Sequence, residues 1–319
     1  MNFYSNGKLL LTGEYLVLDG AKSLALPTKF GQNLTVEKIK ESQIIWGSFT
    51  HTGVCWFEAV FDLKKLRLIS ATFNSDTEGN ADLIAETLLG ILKEAKRMSR
   101  ILGTGFLETE NGFVVKTNLN FPRNWGLGSS STLINSIANW AKVDAFQLLW
   151  NSFRGSGYDI ACAQHDSPIF YQIEGNLSFA IEMTPKVQKV EFNPSFKEHL
   201  FFVHLNQKQD SKEGIAKFRE SGEDFSDEIE RISIISEEFL KAKSILELDK
   251  LIIEHEKIIS SIIKLTPVKE KLFPDYFGEI KSLGAWGGDF VLVTGNEKTP
   301  TYFKEKGFET ILSYSEMIL

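Results

Sequence analysis

The sequence has little of what marks several common classes of protein. Its two cysteines, Cys55 and Cys162, are far apart and belong to no CxxC or Cys/His cluster, which argues against a disulfide framework and a zinc site. No apolar run approaches the roughly 20 residues that a membrane helix needs. A formal net charge of -7 argues against a surface that neutralises nucleic-acid phosphates. We therefore expect a cytoplasmic protein that binds neither nucleic acid nor a membrane.

The amino-acid composition is that of an ordinary globular protein. Hydrophobic residues make up 43% and charged residues 24% of the chain, which is enough apolar material for a sizeable core. A length of 319 residues favours two packed domains, with one larger α/β unit as the alternative. The N-terminal apolar stretch is broken by Lys8 and Glu14 and lacks a small-residue cleavage site, so we expect no signal peptide.

The spacing of apolar residues predicts both strands and helices. Short apolar runs at residues 9–11 and 15–18 indicate strands joined by turns, and alternation over 113–119 indicates another strand. A buried strand is expected at 290–294. Apolar residues recur at helical spacing over four stretches, at residues 81–100, 133–141, about 226–246 and about 247–264.

A glycine- and serine-rich segment lies between the predicted strand 113–119 and the following helix. It consists of Gly126, Leu127, Gly128, Ser129, Ser130 and Ser131. Glycines let the backbone approach an anion, and free N–H groups at a helix start point at negative oxygens. The segment lacks the GxxxxGK[ST] and GxGxxG patterns. Taken alone, it fits a phosphate-binding loop and a serine N-cap of an ordinary helix equally well.

Three further segments carry candidate residues. Lys8 adjoins an apolar run, where its charge needs an anionic partner or a position at a strand end with the ammonium group in water. Asp159 follows Gly157 and fits either an N-terminal helix cap or a carboxylate that removes a proton. The glycine-dense run 284–289 is also typical of a tight connection with positive φ.

In their order and spacing, these four segments resemble the motifs of the GHMP kinases, the superfamily of galactokinase, homoserine kinase, mevalonate kinase and phosphomevalonate kinase. Asn6-Gly7-Lys8-Leu9 with Glu14-Tyr15 resembles the first motif in its mevalonate and phosphomevalonate kinase form. The segment 126–130 is similar to the GLGSS phosphate loop, and 155–159 to the loop with the catalytic Asp. Gly287 to Asp289 resembles the third motif. The resemblance covers nearly the whole chain.

The resemblance implies an α+β fold of two domains. Residues 1–175 would form an N-terminal domain like domain 2 of ribosomal protein S5, holding the first three motif segments. Residues 176–319 would form a ferredoxin-like C-terminal domain that supplies the run 284–289. ATP would lie between the domains of a monomer or a homodimer.

The resemblance also implies the reaction. The protein would transfer the γ-phosphate of ATP to a small-molecule substrate, an alcohol or a phosphorylated alcohol, with mevalonate or phosphomevalonate as the leading acceptors. Asp159 would accept or orient the hydroxyl proton, and Lys8 would stabilise the charge on Asp159 and on the attacking oxygen. Positioning and charge neutralisation contribute more to phosphoryl transfer than strong base catalysis.

For the cofactor, the resemblance implies that the backbone of Gly126, Leu127, Gly128, Ser129, Ser130 and Ser131 cradles the ATP phosphates. It also implies that Gly287 and Gly288 bind the nucleotide. Ser130 matches the family's serine ligand of Mg²⁺.

The chain departs from the family pattern at two places. Mevalonate kinases supply a Mg²⁺-binding glutamate from a helix ahead of the catalytic Asp, and residues 145–153 contain no acid. Two positions that the family fills with small residues hold Trp125 and Trp286, which we predict to lie near each other at the nucleotide site. A kinase for a sugar or amino-acid alcohol, and a catalytically weak nucleotide-binding protein, remain as alternatives.

Overall fold

A computed structural model describes residues 1–74, 80–153, 155–174, 183–207, 218, 224–284, 286 and 288–319. The chain forms two compact units. Unit 1 comprises Met1–Gly7, Phe30–Arg123 and Gly128–Gln164, and unit 2 comprises Lys8–Lys29, Asn124–Leu127 and His165–Leu319. The domain boundary predicted between residues 175 and 176 falls outside the described residues and stays a prediction.

Unit 1 contains a mixed sheet. Its strands are β2 (Ser23–Ile39), β3 (Gln43–Phe49), β4 (Cys55–Asp62), β5 (Arg67–Phe73) and β6 (Gly112–Leu119), in the order β5-β4-β3-β6-β2. Strand β3 is parallel to β6, and the other neighbouring strands are antiparallel. Along β2, Leu34 and Val36 are buried while Glu37 is exposed, as the alternation of side chains in a strand requires. Strand β1 (Asn2–Leu10) pairs with β2.

The helices of unit 1 are α1 (Ala81–Leu102), α2 (Ser129–Ala141), α3 (Ala145–Ser152) and α4 (Tyr158–Gln164). Helix α1 confirms the helical spacing predicted for residues 81–100. The Asn80 side chain accepts a hydrogen bond from the Leu83 N–H and so caps the first turn. Gly103, with a φ of 69°, ends the helix in the left-handed conformation.

Unit 2 contains two groups of strands. The first residues of β2 pair with β7 (Ile169–Glu174), which pairs with β8 (Thr184–Lys189), both antiparallel. A second, antiparallel sheet has the order β10-β11-β9-β12. Its strands are β9 (Leu200–His204), β10 (Ile280–Ser282), β11 (Phe290–Thr294) and β12 (Ile311–Ser313). Strand β11 confirms the strand predicted at residues 290–294.

Five helices belong to the described part of unit 2. They are α5 (Ser226–Lys241), α6 (Ile245–Ile263), α7 (Val268–Leu272), α8 (Thr299–Glu305) and α9 (Tyr314–Met317). Helices α5 and α6 match the two predicted amphipathic helices, although α5 ends earlier than expected. Among the described helices, none combines the length and the apolar character needed to cross a bilayer.

The strand predicted at residues 15–18 is wrong. Leu16–Asp19 forms a short 3₁₀ helix, in which the Val17 N–H donates to the Gly13 carbonyl at 2.8 Å. Left-handed glycines flank the turn, since Gly13 has a φ of 89° and Gly20 a φ of 91°. Three consecutive apolar side chains are buried here, and a short apolar run does not distinguish a buried strand from a buried helical turn.

Aromatic packing dominates one core of unit 2. The Phe303 ring is fully buried, and its centroid lies 5.0 Å from that of Phe273 and 5.0 Å from that of Tyr276. These distances are typical of favourable edge and offset contacts between rings.

We predict that Phe303→Ala lowers the free energy of unfolding by about 3–5 kcal/mol, because it leaves a cavity that the neighbouring rings cannot fill. Urea denaturation measures the change. Phe277→Ala is the control, since the Phe277 ring also contacts Tyr276 but is 53% exposed. Equal losses in the two variants would contradict the prediction.

Candidate functional site

The predicted phosphate loop enters α2 through two left-handed glycines. Gly126 has a φ of 66° and Gly128 a φ of 87°. Gly128 is the N-cap of α2, and no side chain among the described residues caps the helix. The first N–H groups of the helix therefore lack a capping acceptor and can bind an anion. The serine N-cap considered above is not observed, because the three serines lie within the first turn.

The three serine hydroxyls differ in their surroundings. The Ser131 hydroxyl is buried and donates to the Gly128 carbonyl at 2.8 Å, so it stabilises the turn itself. The hydroxyls of Ser129 and Ser130 form no hydrogen bond with the described residues, and Ser130 is exposed. These two hydroxyls are available to a ligand.

Lys8 contacts the loop through its side chain and its backbone. The Lys8 Nζ donates to the Gly126 carbonyl at 2.8 Å, and the Lys8 N–H donates to the Leu127 carbonyl at 3.1 Å. The ammonium group thus lies at the phosphate loop. Lys8 belongs to unit 2 and Asp159 to unit 1, so the predicted interaction between them stays a prediction.

Asp159 is the second residue of α4. Its Oδ1 accepts a hydrogen bond from the Ile160 N–H at 3.0 Å, and Gly157 ahead of it has a φ of 90°. A carboxylate in the first turn interacts favourably with the helix dipole. This geometry is compatible with both the capping and the proton-accepting role, so the catalytic role stays a prediction.

Asp289, in the third motif segment, lies directly against the phosphate loop. A Cβ added to Gly126 would lie 2.1 Å from Asp289 Oδ2 and 2.2 Å from its Cγ. Residue 126 therefore needs glycine for space as well as for its positive φ. The Asp289 carbonyl accepts from the Leu205 N–H at 2.8 Å. Gly288 is buried, and Gly287 lies outside the described residues.

Solved structures of two kinases resemble the chain over almost its whole length. The Methanococcus jannaschii mevalonate kinase has a TM-score of 0.67 at 17% identity, covering 98% of this chain and 96% of that one. The Streptococcus pneumoniae phosphomevalonate kinase, in complex with phosphomevalonate and AMPPNP, has a TM-score of 0.69 at 14% identity, with coverage of 98% and 99%. The chain has the fold of the GHMP kinases. The α+β fold class predicted from the sequence is confirmed.

The GHMP kinase fold is shared by enzymes with different acceptors. A Lactococcus lactis galactokinase complexed with galactose matches with a TM-score of 0.65 at 14% identity, covering 96% of this chain and 88% of that one. No protein-family profile matches the sequence, and no curated protein is detectably similar to it. The structural similarity therefore identifies the fold and does not identify the phosphate acceptor.

Trp125 enters the phosphate loop of this GHMP kinase fold with its ring packed against other aromatic groups. Its centroid lies 5.4 Å from that of Phe290 and 6.3 Å from that of His204. Trp286 is buried with a φ of 60°, and its Nε1 has no hydrogen-bond partner among the described residues. The predicted proximity of Trp125 and Trp286 stays a prediction.

A buried ionic cluster includes Glu14 of the first motif. Its members are Glu14, His255, Glu256 and Lys281, none more than 4% exposed. Lys281 Nζ lies 2.7 Å from Glu14 Oε1 and 3.6 Å from Glu256 Oε1. His255 Nε2 accepts from the Gly13 N–H at 3.0 Å. The cluster thus joins the backbone of the first motif to α6 and to β10, which leads into the third motif.

The geometry of the cluster indicates a bound proton. His255 Nε2 already accepts from Gly13, yet it lies 3.3 Å from Glu14 Oε2, where two acceptors would repel each other unless the carboxyl is protonated. Burial raises the pKa of the Glu14 carboxyl to about 7, although Lys281 opposes the shift. Burial and Lys281 both hold the pKa of His255 well below its usual value.

Sequence reasoning missed the partners of Glu14 and the role of Asp289. His255 and Glu256 sit on an amphipathic helix whose polar residues resemble an ordinary solvent face. Lys281 lies in the three-residue strand Ile280–Ser282, which is buried throughout, but the run Ile-Lys-Ser has no apolar pattern that would indicate this burial. Asp289 belonged to a recognised motif, but no local pattern indicated that its carboxylate contacts Gly126.

The described residues hold no group of three or more His, Cys, Asp or Glu side chains that could bind a metal ion. Helix α3 contains no acid, as expected from the sequence, and the Asp144 ahead of it caps the helix by accepting from the Gln147 N–H. Mg²⁺ is commonly bound through one or two protein ligands and substrate phosphates, so such a cluster is not required.

We predict that Gly126→Ala destabilises the protein by about 1–3 kcal/mol more than Gly103→Ala does, because only residue 126 lacks room for a methyl group. Gly103 is a matched control, with a φ of 69° and open space around it. In the double variant Gly126→Ala with Asp289→Ala, much of this additional destabilisation should disappear, because the carboxylate that the methyl group would meet is gone. Urea unfolding of the single and double variants measures this coupling, and strictly additive changes would contradict it.

We predict that wild type loses about 2–3 kcal/mol of stability relative to Glu14→Gln between pH 5 and pH 8. The raised pKa means that the stabilisation is complete below the ordinary pKa of 4.5 and is lost as the pH rises through about 7. Denaturant unfolding across this range measures the difference. Glu297→Gln, at an exposed position, is the control, and parallel curves for wild type and Glu14→Gln would refute the prediction.

Proposed function

We propose that the protein is an ATP-dependent kinase that transfers the γ-phosphate to a small alcohol or phosphorylated alcohol, with mevalonate or phosphomevalonate as the leading acceptor. The observation that carries the proposal is the start of α2 on a GHMP kinase fold. There, two left-handed glycines precede N–H groups and two serine hydroxyls that have no partner among the described residues. Such a helix start binds phosphate oxygens.

In this proposal, the backbone of residues 126–131 binds the ATP phosphates, with Gly287 and Gly288 nearby. Lys8 has its ammonium group at the Gly126 carbonyl, where it adds positive charge beside bound phosphates. Asp159 orients the acceptor hydroxyl and receives its proton as the oxygen attacks the γ-phosphorus. The bond from the γ-phosphorus to the bridging oxygen breaks, and ADP leaves with that electron pair. Preorganised charge of this kind stabilises the spreading negative charge of phosphoryl transfer.

The residues present fit a Mg²⁺ ion carried by the nucleotide. Ser130 has an exposed, unbonded hydroxyl in the first turn of α2, which is a hard oxygen donor of the kind Mg²⁺ prefers. When bound, the ion neutralises charge on the phosphate oxygens. Ser130 would hold it together with the phosphates and water.

The leading acceptors are favoured by the first and third motifs, which resemble those of the mevalonate and phosphomevalonate kinases. The second candidate acceptor is a sugar or an amino-acid alcohol, and the similarity to the galactokinase complexed with galactose favours the sugar. The lack of an acid in α3 favours, as a third, a protein that binds nucleotide but turns it over poorly. A cytoplasmic location and a monomeric or homodimeric state belong to the same proposal.

We predict that wild type forms ADP with one acceptor of a panel of mevalonate, phosphomevalonate, sugars and homoserine at ample Mg²⁺. Asp159→Asn should lower kcat by at least about 100-fold, because the proton acceptor is lost, with the Kd for ADP changed less than about twofold. Asp166→Asn, at an exposed position, is the control.

Two results would overturn parts of this proposal. If wild type binds ATP and forms no product with any acceptor, the protein is not the proposed enzyme. Full activity of Asp159→Asn would remove Asp159 from the mechanism.

A further inference from the structure

Arg123 is held on an aromatic platform in unit 1. Its guanidinium carbon lies 3.6 Å from the centroid of the Trp56 ring and 5.7 Å from that of Phe73. The Trp56 and Phe73 rings themselves meet edge to face at 5.9 Å. A cation at such distances over an aromatic face is attracted by the ring quadrupole. The platform therefore orients the guanidinium without using its N–H donors.

The guanidinium lacks an anionic partner in the part of the chain that the structure describes. Arg123 forms no hydrogen bond or ion pair there, although it is partly buried. Arg97, Arg100 and Arg231, in contrast, each bind a glutamate. Partial burial lowers the pKa of Arg123, and no carboxylate among the described residues opposes the shift. A partly desolvated cation without a partner is unfavourable, and an anionic ligand would remove that cost.

Arg123 lies close to the phosphate loop along the chain. Three residues of extended chain span at most about 11 Å, so the Cα atoms of Arg123 and Gly126 cannot be farther apart than this in any conformation. A guanidinium that stacks by its face keeps its N–H edge free, and that edge matches two phosphate oxygens at once. The ligand that fits is therefore a phosphate group near the loop.

We propose that Arg123 is a further substrate-binding residue that holds a phosphate group of one of the two substrates. This inference rests on the proposed kinase function. The phosphate comes from the nucleotide or from a phosphorylated acceptor, and the two sources are separable by binding measurements that do not need turnover.

The test compares Arg123→Met, which keeps the apolar contact with Trp56 but removes the charge, with wild type. Isothermal titration gives the Kd for ADP, for phosphomevalonate and for unphosphorylated mevalonate. We expect a loss of about 10- to 100-fold for the ligand whose phosphate is bound, as for hydrogen bonds to a charged group. A loss for ADP alone identifies the nucleotide, and a loss for phosphomevalonate with mevalonate unchanged identifies the acceptor.

Two further variants separate binding from structure. Arg123→Lys keeps the charge but not the planar fork, so we expect an intermediate loss of affinity. Arg67→Met, at an exposed position of β5, is the control and should bind like wild type. A purely structural role predicts a lower Tm for Arg123→Met with unchanged Kd values, and that result overturns the inference.

The outcomes also separate this inference from the proposed function. Equal binding of ADP and phosphomevalonate by wild type and Arg123→Met, with turnover by wild type intact, overturns the inference alone. Weaker ADP binding by Arg123→Met in a protein without turnover supports the inference and contradicts the enzyme. If wild type binds none of these ligands, both fail.

Discussion

The absence of a side chain at Gly126 is the constraint on which the candidate site depends. The Asp289 carboxylate occupies the space that a Cβ would need, and the Lys8 ammonium binds the Gly126 carbonyl. Gly126 also has a φ of 66°, a left-handed conformation that glycine adopts without strain. Gly126 therefore contacts the first and third motif segments. The chain continues from Gly126 into α2, whose first N–H groups have no capping side chain among the described residues.

In our proposal, this arrangement lets an acidic protein bind a strongly anionic ligand. With a net charge of -7, the chain offers no general attraction for phosphate. Attraction has to come from the helix start, from Lys8 and, in our proposal, from Arg123. Each is a local source of positive potential, and partial exclusion of water strengthens its effect.

The buried cluster around Glu14 shows a different use of charge. Two carboxylates, Glu14 and Glu256, share one ammonium group with no exposure to water, so ionising both would leave a negative charge without compensation. A bound proton removes that excess. Because His255 accepts from the Gly13 N–H, the protonation of the cluster is linked to the backbone of the first motif.

Local features could be predicted from the sequence: the periodicity of α1, the strand at 290–294, and the glycine- and serine-rich segment at the start of α2. Each follows from residues only a few positions apart. Tertiary structure decided that residues 16–19 form a 3₁₀ helix and that distant charges meet. Lys8 and Gly126 are 118 residues apart, and Glu14 and Lys281 are 267 apart. Such contacts depend on how elements pack, and local propensity carries no information about that packing.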